Sequence, residues 1–268
     1  MNTKTLCAVC GLLVGIGFGV AHAENATTSF QTAVPNVQIT FMDLGVDAPG
    51  ILPTSPFYFA KGWKRSASIR FARQPIDKLT LELIYLSEKA AETKKLAMIA
   101  PRNGANISVA LANYGVSLDD LQSKLSLVGG GKDNTGTGYF LNQLLSASIK
   151  HIELFDDLKV QFASDKNTVL QIEHTQNTLA RVVLGALERF DTPENMQNRL
   201  DTLRKGTEVK DDVLRTLFKA IQFQNAIVPF EVEANGSLKE SLVNFRKDIF
   251  LKFRVLLQAQ RMRCEQNL

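Results

Sequence analysis

The residues able to do chemistry are few and badly placed for it. Three histidines stand in the chain, His22, His151 and His174, and none belongs to an H-E-x-x-H pattern or to a Glu-x-x-His pair of the kind a di-iron bundle uses. Ser146 and Ser148 fall in a helical pattern, without the sharp strand-to-helix elbow that exposes a hydrolase nucleophile. Glu88 with Glu92, and Asp156 with Asp157, read as solvated helix faces, where nothing separates two carboxyl pKa values into an acid and a base. Gly131-Lys132 lacks both the following Ser/Thr and the preceding strand of a phosphate loop. The expectation is a protein with no catalytic residue, no cofactor and no metal: not an enzyme.

The first residues read as a processing signal. Lys4 precedes an uncharged apolar run from Leu6 to Val20, and Ala21-His22-Ala23 offers small residues at the two positions a signal peptidase reads. The run is short for a membrane span of about 20 residues, so cleavage after Ala23 is expected, with a retained anchor as the alternative. Cys7 and Cys10 lie inside the signal. Val9 before Cys10 is not the small residue a lipoprotein signal wants, and Cys264 is left as a lone thiol, free or used between chains. Loss of Lys4 lowers the formal charge from +4 to +3, without a basic run suited to nucleic acid. The destination is periplasmic or extracellular. Asn25-Ala26-Thr27, Asn106-Ile107-Ser108 and Asn235-Gly236-Ser237 fit the N-glycosylation pattern, which matters only in a host that uses it.

The remaining residues are arranged around Gly50 to Trp63. Val37, Ile39 and Phe41 alternate with polar neighbours and predict a short strand, packed as an extended arm or added to a partner's sheet. Pro53 and Pro56 then forbid helix, and Phe57, Tyr58, Phe59 and Trp63 are expected to plug the end of a bundle. Downstream, the three-and-four spacing of apolar residues predicts long amphipathic helices. One starts at Pro75 and stops at Pro101 and Gly104, spanning about 39 Å. A short helix ends near Gly115, and Ser117 with Asp120 opens another that closes at Gly129. Two long helices meet near Asp165. Thr192 caps a helix begun by Pro193 and ended by Gly206. A further helix runs from Glu208 to Gln224 ahead of Pro229, and Ser237 with Glu240 caps the last.

Ile51 to Lys61, I-L-P-T-S-P-F-Y-F-A-K, resembles the L-P-x-S-P-x-Y-x-x-K entry motif of an uncharacterised family of exported all-helical domains in bacteria and archaea. Pro75 to Leu83 and Lys150 to Leu158 extend that likeness, so that it covers about residues 50–190. It implies compartment and fold and transfers no catalytic residue. The expected architecture is all-α, an up-down bundle of six or seven helices with an extended N-terminal arm. Its parts are a signal at 1–23, an extended or mobile arm at 24–49, a bundle at 50–206 and C-terminal helices packed on it at 207–268. The expected function is a scaffold or protein-interaction role in the cell envelope, with Leu52, Pro53, Ser55, Pro56, Tyr58, Lys61 and Trp63 as the candidate recognition motif. The alternative is a small-molecule or lipid-binding bundle with Tyr58 and Trp63 in the pocket wall, and anionic polymers or membranes are further possible partners of the basic last helix.

Overall fold

A computed structural model describes residues 39–128, 135–205 and 213–266. The signal, most of the arm, the glycine-rich segment 129–134 and the stretch containing Gly206 and Glu208 lie outside the described residues. So does the side chain of Cys264.

Eight α-helices occupy the described residues, where the spacing counted six or seven: α1 (Tyr58–Phe71), α2 (Pro75–Ile99), α3 (Gly104–Leu127), α4 (Thr135–Gln161), α5 (Lys166–Phe190), α6 (Pro193–Lys205), α7 (Val213–Glu233) and α8 (Gly236–Gln266). The all-helical bundle expected from the pattern is the fold. Helices α2 to α5 form a four-helix ring in which α2 packs on α3 and α4, and α5 packs on the same two. Helix α7 lies over α4 and α5, α8 lies on α7 and α6, and α1 packs on α2. Leu86, Ile107, Leu121, Leu144, Ile152, Phe155, Ile172 and Leu179 sit at the centre, sealed from solvent. They belong to rows of buried residues recurring at three and four, such as Leu79, Leu83, Leu86 and Ala90 on α2, and that spacing turns these faces inward.

One end of the ring is tied by backbone-level contacts. Asn103 caps α3 by accepting from the Asn106 amide at 3.1 Å, and Asp165 caps α5 by accepting from the Thr168 amide at 3.2 Å. The two turns press together at Gly104, where an added Cβ would lie inside contact distance of the Asp165 carboxylate and the Thr168 hydroxyl. Gln161 Nε2 closes the same end by donating to the carbonyls of Ala97 at 2.9 Å and Pro101 at 3.3 Å.

Four expectations need correction. Residues 104–127 are one helix, not two: Ser117 is buried mid-helix between Tyr114 and Leu118, whose shared burial carries the helix through Gly115. Pro229 lies inside α7, just before its last turn, and Gly236, not Ser237, opens α8. The strand expected around Ile39 and Phe41 is absent from its described part. There, Met42–Leu44 forms a 3-10 turn, closed by the Gly45 amide on the Met42 carbonyl at φ +72°, a backbone setting suited to glycine. The Thr40 hydroxyl and amide both donate to the Asp43 carboxylate, at 2.7 and 2.8 Å, which bends the chain out of extended geometry. Ile39 and Leu44 are buried, where the turn meets α2 and α4.

Candidate functional site

The recognition motif lands on α1 and the turn before it. Leu52 packs against the core, and its carbonyl accepts from the Ser55 amide at 2.9 Å. The Ser55 hydroxyl accepts from the Phe57 amide at 3.3 Å, and its carbonyl accepts from the Tyr58 amide at 3.1 Å. Pro53 is half-buried and Pro56 exposed. These residues therefore build the turn that launches α1, and prolines at 53 and 56 fix where helix can begin.

From that launch, Tyr58, Lys61 and Arg65 share one helical face and point at α2. They meet Glu88, Lys89 and Glu92, of which Glu88 and Glu92 read from the sequence as an ordinary solvated face. That reading is wrong for Glu92, whose exposure is 0 %. The Tyr58 hydroxyl donates to Glu92 Oε2 at 2.5 Å and Lys61 Nζ donates to Glu92 Oε1 at 2.6 Å. Arg65 Nη2 donates to Glu88 Oε2 at 2.7 Å and to Glu92 Oε1 at 3.1 Å. Lys89 donates to the Tyr58 hydroxyl, and its ammonium lies 4.3 Å from the centre of the same ring. Arg65 also covers the Tyr85 ring at 5.3 Å. Burial pulls the Lys89 ammonium below its ordinary pKa, against the opposing field of Glu92. Glu88 is held below the usual carboxylate range: burial works against its charge, and the hydrogen bond from Arg65 with the charges of Lys61 and Arg65 outweighs it.

The sequence carried a usable signal for this cluster. Lys61 and Arg65 form a basic pair at i, i+4, and Glu88 and Glu92 an acidic pair at the same spacing, so two helices packed side by side can match them.

The inner face of α1 thus carries Tyr58, Lys61 and Arg65, and the outer face carries its large aromatics together with Lys64 and Arg70. No residue of α1 is buried. Trp63 is 75 % exposed, Phe59 58 % and Phe71 82 %, and Phe57 before the helix is exposed as well. Phe59 and Trp63 meet edge to face with centroids 5.7 Å apart, in solvent. Phe57, Phe59 and Trp63, expected to plug the bundle, decorate its outside, and Tyr58, whose hydroxyl reaches Glu92, takes the inward position.

Two other places hold chemistry-bearing residues. His151 is fully buried on α4, 2.9 Å from the Tyr114 hydroxyl through Nδ1, and burial drives its pKa down to about 3. Burial likewise pushes the Tyr114 hydroxyl well up. His151 Nε2 and Ser148 Oγ, three residues apart on α4, are buried without a partner. Between α3 and α5 runs a groove of about 440 Å³, lined by Leu111, Gly115, Leu118, Leu170, Thr178 and the exposed His174. Among the described residues no group of three or more His, Cys, Asp or Glu could hold a metal, and no helix is long and apolar enough to cross a membrane. Comparison with known protein families, curated proteins and solved structures gives no match.

Proposed function

We propose that this is a non-enzymatic exported protein that works by docking to another component of the cell envelope, with α1 as the docking element. One observation carries the reading: α1 is inverted, with Tyr58, Lys61 and Arg65 locked inward on Glu88 and Glu92 and its large aromatics in water. A soluble helix ordinarily turns its apolar stripe to the core. A contiguous exposed aromatic face on a rigid support is the mark of an interaction site. The leader-like first 23 residues and the likeness of residues 51–61 to exported helical domains support the compartment.

Site-specific photo-crosslinking in intact cells tests it. A crosslinker at position 63 should capture an envelope component, and one at Leu127, equally exposed on α3, should not. Equal capture from both positions, or from neither, counts against α1 as the docking element.

A second reading, small-molecule or lipid binding within the bundle, is favoured by the α3–α5 groove rather than by Tyr58 and Trp63, and its volume is within the range of ligand sites. Filling it with Gly115→Leu should abolish any apolar-ligand stabilisation of the fold. Stabilisation that survives this substitution removes the groove as the site.

A further inference from the structure

Resting on the reading of α1 as the docking element, we infer that its outer face lies flat on an anionic lipid surface, with Phe59, Trp63 and Phe71 in the boundary between headgroups and acyl chains. The charge distribution points to lipid. From residue 48 to residue 76 the chain holds five basic residues and no Asp or Glu. Lys61 and Arg65 of these are committed to Glu88 and Glu92. Lys64, Arg70 and Arg73 are exposed and make no ion pair among the described residues.

At 100° per residue, Arg70 lies between Phe59 and Trp63 on the outer arc, and Lys64 lies beside Phe71 at its edge. Aromatics interleaved with cations, Arg70 between Phe59 and Trp63 and Lys64 beside Phe71, suit a helix lying in a bilayer interface. Its rings sit at headgroup depth and its Lys and Arg reach lipid phosphates. The basic cluster also remains charge-excessive beneath the helix: Lys61, Arg65 and Lys89 face two carboxylates, leaving one net positive charge on the inner side.

A second copy is a poor occupant. A two-fold contact through α1 would set Lys64, Arg70 and Arg73 of each chain against the same residues of the other, with no acid on either face. An anionic lipid surface supplies the missing counter-charge over the whole plane the helix presents. The ion cluster is what makes the arrangement persist before contact: it prevents α1 from rolling its aromatics onto α2 in water.

Trp63 is the only tryptophan of the chain, so its emission reports this face directly. The chain from Glu24, its exported form under the same reading, is titrated with vesicles of equal parts phosphatidylglycerol and phosphatidylcholine, and with phosphatidylcholine alone. The expected result is a blue shift on the anionic vesicles, quenching of Trp63 by brominated acyl chains, and reversal when salt shortens the Debye length from about 10 Å to about 3 Å. Replacing Lys64, Arg70 and Arg73 by Gln should weaken vesicle binding by about fivefold per charge, roughly a hundredfold together. Phe59→Ser with Phe71→Ser should weaken it about tenfold or more while helicity and melting temperature stay unchanged. Absence of a shift on anionic vesicles, equal binding to neutral ones, or a lipid-free blue shift that grows with protein concentration would each overturn the inference. If position 63 still crosslinks to an envelope protein while vesicles do nothing, the lipid assignment fails and the docking reading stands.

Discussion

The Tyr58 hydroxyl donates to the Glu92 carboxylate at 2.5 Å, joining residues 34 positions apart, and that carboxylate has no exposed surface. The contact fixes which way α1 faces. With Tyr58, Lys61 and Arg65 drawn to Glu92 and Glu88, the aromatic side of α1 has only solvent before it. Ion pairs between exposed groups are worth little, but this cluster is substantially buried, and removing one partner strands the others.

Glu92→Gln should therefore destabilise the chain by about 3 kcal/mol, because Lys61, Arg65 and Lys89 lose the anion they share. Tyr58→Phe keeps the ring beneath Lys89 and removes one donor, costing about 1 kcal/mol. Denaturant midpoints measure both. Limited proteolysis should cut within α1 of Glu92→Gln before the bundle opens. A change below about 0.5 kcal/mol for Glu92→Gln would mean that the cluster does not hold α1.

His151 makes stability depend on pH in a defined direction. Its folded pKa of about 3 lies below the ordinary value of 6.5, so between those values the unfolded chain takes up a proton that the folded chain refuses. Stability from this group is complete above pH 6.5 and declines as the pH falls towards 3, by about 2 kcal/mol from pH 7 to pH 5. Glu153 acts oppositely. Burial, against the attraction of Lys150, raises its folded pKa, so its contribution is present in acid and lost as the pH rises through that value. His151→Gln should flatten the slope between pH 7 and 5 in urea denaturation. An unchanged slope would remove His151 as its source.

Two glycines in ordinary helix should respond with opposite signs. Gly104→Ala drives a Cβ into Asp165 and Thr168 and should cost about 2 kcal/mol. Gly185 on α5 faces open space, and Gly185→Ala should stabilise by about 0.7 kcal/mol by restricting the unfolded chain. Thermal melts of the two variants check the pair.

Ser148 gives a smaller, independent test of the core. Its hydroxyl is buried without a partner, so Ser148→Ala removes a desolvated group and should raise stability by about 1 kcal/mol. Loss of stability on this change would reveal a partner for the hydroxyl.

The bundle was legible because its signal is repetitive: each long helix shows its inward face several times over, and Pro75 and Pro193 open helices where proline's fixed φ suits the first turn. What failed was local punctuation weighed without tertiary burial. Gly115 and the Ser117/Asp120 pattern looked like a break, yet Tyr114 and Leu118 are both buried and hold the helix through it. Pro229 is tolerated near the end of α7, where the carbonyl it fails to pair, on Asn225, belongs to an exposed residue. The site was half legible. Its launching turn follows from Pro53 and Pro56, but aromatic residues generally indicate core, and only the match between the Lys61/Arg65 and Glu88/Glu92 pairs says that the charged side of α1 goes in.

The most direct measurement of the inverted helix is iodide quenching of Trp63 in the chain from Glu24, alone and with isolated envelope added. An outward aromatic face bordered by Lys64 and Arg70 predicts strong quenching of the free chain, more by iodide than by caesium because the surroundings are cationic, and protection once envelope is present. A tryptophan already shielded in the free chain, or one equally quenched with and without envelope, would contradict the account.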